Sequence, residues 1–109
     1  MAEAYKVLAQ SAPSATTDTD VYTVPSATEA VVSTIVMANR AATAGTFRIA
    51  VRPDGATIAN EHYLAYDVPL AANDSTTLTL GVTMDAADVL TVQTSSADMS
   101  VNVFGTEIS

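Results

Sequence analysis

Ala30-Val31-Val32-Ser33-Thr34-Ile35-Val36-Met37-Ala38 is the stretch whose reading decides the fold. Val, Ile and Thr branch at Cβ, lose rotamer freedom against the preceding turn of a helix and sit well on a pleated surface, so the segment reads as a strand. It is apolar on both alternating faces, the pattern of a central strand covered on both sides, and is expected to be buried.

Working outward, Thr46-Phe47-Arg48-Ile49-Ala50-Val51-Arg52 alternates with a period of two. Phe47, Ile49 and Val51 share one face, while Arg48 and Arg52 share the other, roughly 13 Å apart at strand rise. Pro53-Asp54-Gly55 follows as a turn, because proline presets one backbone angle and glycine accepts a positive one. Further strands are expected over Tyr5–Gln10, Asp20–Val24 ahead of Pro25, His62–Val68, Ser75–Leu80, Val89–Gln93 and Met99–Phe104. Leu78 and Leu80 are expected to point inward. Residues 56–64 allow a short helix or an irregular excursion. Turn-rich segments separate these runs every 10 to 15 residues or so, giving seven or eight strands in one chain. That number suits an all-β antiparallel sandwich with Greek-key or jelly-roll connections, one domain over residues 1–109, with Met1 to Tyr5 as a possible N-terminal arm.

The 109 residues suffice for one core, and 49% are apolar against 15% charged, so the chain can offset its folding entropy. With 6% aromatics and no Trp, the core must consist mainly of Val, Ile, Leu, Ala and Met. Twelve carboxylates against four Lys and Arg leave a formal charge of −8, which opposes extended contact with nucleic-acid phosphates. No run approaches the roughly 20 apolar residues that span a bilayer, and no secretory signal is visible, so the expectation is synthesis in the cytoplasm and no membrane partner.

The inventory for catalysis is thin. His62 stands beside Glu61 and near Asp67, but one histidine without a nucleophile partner reads as a surface or interface side chain. There is no Cys, and no Ser lies in a Gly-x-Ser-x-Gly elbow. Asp18 with Asp20, and Asp85 with Asp88, lie in expected turns, where aspartate caps local backbone, and lack the spacing of a calcium loop. The glycines at 45, 55, 81 and 105 are dispersed, not gathered into a phosphate loop. No catalytic, cofactor or metal residue is therefore assigned.

Several segments together resemble small structural proteins of tailed bacteriophages, including phages of aquatic bacteria. They are Ala4–Pro13, Tyr22–Pro25, Val31–Arg40, Phe47–Pro53, Ala71 with Asn73 and Asp74, Ala87–Val89 and Phe104–Ile108. The resemblance implies a non-enzymatic β-sandwich of the virion, a homo-oligomer on the particle, serving as head decoration or cement protein or as a tail, collar or baseplate accessory. Its partners would be other copies of itself and other virion proteins. On that footing Tyr5, Arg40, Arg48, Arg52 and Asp54 are expected at subunit contacts, the arginines meeting acidic groups of neighbours. The alternative is a carbohydrate- or host-receptor-binding module on a tail fibre, using the polar strand faces with Tyr63 and Tyr66.

Overall fold

The computed structural model describes residues 2–109 and contains eight strands. They are β1 (Glu3–Ser11), β2 (Thr19–Thr23), β3 (Glu29–Asn39), β4 (Gly45–Arg52), β5 (Tyr63–Leu70), β6 (Ser75–Met84), β7 (Val89–Thr94) and β8 (Met99–Ile108). Between β4 and β5, residues 53–62 form the irregular excursion, with short 3₁₀ turns at Pro53–Gly55 and Asn60–His62.

Two four-stranded antiparallel sheets have the orders β1-β8-β3-β6 and β2-β7-β4-β5. The pairings β1·β8, β2·β7, β3·β6 and β4·β5 are those of one long hairpin whose tip is the excursion at 53–62. Rolling that hairpin up places β3 against β8 and β4 against β7, which is the jelly-roll form of the expected sandwich. Between the sheets lies one core, in which Phe47, Ile35, Met37, Ile49, Leu90 and Met99 are the largest fully buried side chains.

Three bulges lie in a row across the first sheet. Leu8 is an extra residue between the pairs Val7↔Phe104 and Ala9↔Val103, and Ser33 is extra between Val32↔Gly105 and Thr34↔Phe104. Leu80 and Gly81 together oppose Ser33. The single-residue bulges in β1 and β3 reset the period of two, whereas the two residues inserted in β6 leave its phase unchanged. In β3 the buried set therefore switches from Ala30 and Val32 to Ile35, Met37 and Asn39. The bulge also corrects one expectation: Leu78 is half-buried against the core, but Leu80 is 47% exposed.

β3 is central, as its composition required, yet only one of its faces is buried by the chain; Val31, Thr34 and Val36 are half-exposed on the other. The N-terminal segment is likewise no free arm from residue 2 onward. Ala2 and Ser109 exchange backbone hydrogen bonds of 2.6 and 2.8 Å, and Glu3 to Ser11 pair with β8, because an extended segment beside an unpaired sheet edge satisfies its backbone groups by joining it. Met1 lies outside the described residues.

Candidate interaction surfaces

The outer faces of the two sheets differ in chemistry. Along the first sheet, strand alternation sends Tyr5, Val7, Val31, Val36 and Phe104 outward, joined at the bulge by Leu80. Tyr5 is 80% and Val7 49% exposed. Between these apolar residues stand uncharged Ser33, Thr34, Thr79 and Thr106. Glu3 and Glu29 mark one margin, both opposite Ile108, and no other charged side chain among the described residues belongs to this outward set.

The outer face of the second sheet is built from ion pairs. Arg48 Nε donates to Asp67 Oδ1 at 2.7 Å, and its second nitrogen reaches Oδ2 at 3.3 Å. This two-point hydrogen bond holds the Asp67 carboxyl below its usual range and raises Arg48 in turn. The same guanidinium lies 4.1 Å from the Tyr66 ring centre, and Tyr66 meets Tyr63 edge-on at 4.8 Å. Arg52 donates to Thr91, to Asp20 and to the carbonyls of Gly55 and Ala56, so it fastens the start of the excursion to the sheet. The outer face here is partly sealed: Ala50, between the two arginines, is 1% exposed.

The ends of the sandwich are closed by polar ties that sequence reasoning missed. Tyr22 of β2 donates its hydroxyl to Glu107 of β8 at 2.5 Å, and Lys6 of β1 pairs with the same carboxylate. The hydrogen bonds from Lys6 and then from Tyr22 hold the Glu107 carboxyl below its usual range, while burial and the adjoining carboxylate push the Tyr22 phenol upward. At the opposite end buried Asn39 donates to the carbonyls of Thr43, Leu70 and Ala71 and accepts from the Ala41 amide. Nothing in local spacing couples residues 85 positions apart, which is why Tyr22 and Glu107 could not be linked beforehand.

The five expected contact residues are scattered. Tyr5 is on the outer face of the first sheet; Arg48 and Arg52 are on that of the second, which points the opposite way. Arg40 bridges to the β7–β8 turn through the Ala97 and Asp98 carbonyls at one end. Asp54, at φ 54°, sits at the other end with its amide held by Asp88. The acidic partners expected for Arg48 and Arg52 are supplied by this chain itself, as Asp67 and Asp20.

The remaining candidates have local structural roles. His62 Nδ1 accepts the Ala59 amide at 3.0 Å. Asp88 accepts the amides of Asp54 and Asp85, and Asp18 accepts from Gln93. Among the described residues no group of three or more His, Cys, Asp or Glu side chains is placed to hold a metal ion, and no helix is long and apolar enough to cross a membrane. Comparison of the chain with protein-family models, curated proteins and solved structures found no match.

Proposed function

We propose that this chain is a non-enzymatic structural component of a tailed-bacteriophage virion, present in several copies that pack against neighbouring subunits. Head decoration or cement and a tail, collar or baseplate accessory are the roles it suits. One observation carries the packing part: the outer face of the β1-β8-β3-β6 sheet carries exposed Tyr5, Val7 and Leu80 and half-exposed Val31, Val36 and Phe104, with charge, among the described residues, only at its margin. β3 has the composition of a strand covered on both faces, and its own chain covers one. In a molecule of charge −8, an uncharged apolar face is where a like-charged copy or another subunit can approach without repulsion. The virion setting is supported by the resemblance of the segments from Ala4 to Ile108. The jelly-roll order, which viral capsid and lectin domains also use, adds an analogy of fold and not of site.

The test is particle incorporation. Purified virions carrying Val36→Lys are expected to lose the chain while the isolated variant keeps its far-ultraviolet circular dichroism. Full occupancy of the variant, or absence of the wild-type chain from the particle, refutes the reading. The receptor-binding alternative would use Tyr63 and Tyr66. With the Arg48 guanidinium lying over the Tyr66 ring, part of the stacking surface a sugar needs is occupied, and glycan-array binding abolished by Tyr66→Ala would move the function there.

A further inference from the structure

Four strands lie at sheet edges, and three of them carry features that discourage pairing with another chain. β1 has Glu3, Lys6 and the Leu8 bulge; β2 is only five residues long and carries Asp20; β5 contains Asp67 and Pro69 and is twice irregular against β4. The fourth, β6, is ten residues, Ser-Thr-Thr-Leu-Thr-Leu-Gly-Val-Thr-Met, without a charge or a proline. Its stretch Ser75–Leu80 is β-prone and uncharged, and it is regular as far as Thr79, ahead of the bulge at Leu80 and Gly81; this is the composition of a strand that pairs with its own kind.

The hydrogen-bonding phase of this edge can be read from one contact. The Asn39 amide donates to the Asp74 carbonyl at 2.8 Å, and Ala38 stands opposite Ser75. In an antiparallel ladder that makes Ala38↔Ser75 a non-hydrogen-bonded pair, and so too Val36↔Thr77 and Thr34↔Thr79. The backbone N–H and C=O groups of Ser75, Thr77 and Thr79 therefore point away from β3 toward the free edge. The Ser75 amide is held by the Asp74 carboxylate at 2.8 Å; among the described residues no such side chain caps Thr77 or Thr79.

We infer that β6 is a homotypic docking edge, through which a second copy of this chain adds its own β6 antiparallel to make a continuous eight-stranded sheet across a twofold axis. This rests on the multi-copy reading above and specifies the contact. For the two sheets to be continuous the axis must be perpendicular to them, so residues facing each other must have the same parity. The bulge-free paired stretch from Ser75 to Thr79 is centred on Thr77. With the axis there, Thr77 exchanges backbone hydrogen bonds with its own copy, and the Thr79 amide meets the Ser75 carbonyl of the other. The facing side chains on the outer surface are Thr77 with Thr77 and Ser75 with Thr79, pairs that hydrogen-bond well across strands. A second copy suits this edge because the pairing is self-complementary and no charge is brought to the axis.

The experiment is sedimentation and multi-angle light scattering of the isolated chain at concentrations up to on the order of 100 µM, with amide exchange followed in parallel. The expected result is a species of twice the chain mass, with the Thr77 and Thr79 amides slowed about tenfold or more as it forms. Thr77→Lys puts like charges opposite each other at the axis, and Thr77→Pro removes the donor; each should give a monomer with wild-type circular dichroism. Thr77→Lys tests the contact even if Thr77→Pro perturbs folding. A chain that stays monomeric at every concentration, or a dimer that persists in Thr77→Lys, overturns the inference. Because incorporation into particles is measured separately with Val36→Lys, either failure leaves the virion reading to its own test.

Discussion

Replacing Tyr22 with Phe removes one oxygen and tests whether the two sheets are tied at that end by a charge-assisted bond. The Tyr22 hydroxyl donates to Glu107 at 2.5 Å, and hydrogen bonds to a charged group contribute about 1.5–3 kcal/mol. Glu107 keeps its ion pair with Lys6, and its side chain is 15% exposed, so water takes up part of the released acceptor. The low end applies, about 1.5 kcal/mol at neutral pH, or about 6–12 °C in midpoint for a domain of this size. The pH dependence has a definite sign. Glu107 ionises below its ordinary 4.5 in the fold, so its contribution is fully present above that value and is lost as pH falls through the lower folded one. Once Glu107 is protonated the bond joins neutral groups and is worth roughly half as much. Urea unfolding of wild type and Tyr22→Phe, followed by far-ultraviolet circular dichroism, should therefore show the two curves converging as pH is lowered. A cost below about 0.5 kcal/mol at neutral pH, or one unchanged by acid down to about pH 2, would refute the argument.

Two other substitutions test the backbone approach in the first sheet and the division of labour between the arginines. A Cβ on Gly105 would stand 2.1 Å from the Val31 carbonyl oxygen and 3.0 Å from Leu8 Cδ1, so Gly105→Ala must move backbone and should cost about 3 kcal/mol in denaturant unfolding. Arg52→Ala releases the hydrogen bonds to Thr91, Asp20, Gly55 and Ala56; it should cost about 2 kcal/mol and speed amide exchange across residues 55–62. Arg48→Ala, on a more exposed position, should leave the unfolding midpoint in place, and a comparable loss in both variants would contradict the separation.

Much of the strand pattern was readable locally. The β-branched run at 30–38 and the alternation at 46–52 each became a strand within a residue or so of the expected bounds, and Pro53-Asp54-Gly55 and Asp85–Asp88 became turns. What could not be read was any place where two strands act on each other. Leu80 has the spacing of an inward residue, but inserting Gly81 at φ 64° against Ser33 turns it out. Arg48 and Arg52 were expected to meet acidic groups of neighbouring subunits, because their own partners Asp67 and Asp20 lie 19 and 32 positions away.

By itself, then, the chain's order of residues determined that this protein is a β-sandwich with a Val-, Ile- and Met-rich core, since side-chain branching, alternation and turn chemistry act over a few residues. Only the tertiary structure decided that the sandwich is a jelly roll, that the outer faces are apolar on one sheet and ion-paired on the other, and that β6 is the uncharged edge. Strand order and edge position follow from long-range pairing, whose hydrogen bonds are much alike for many registers and are selected by which apolar faces can be buried together.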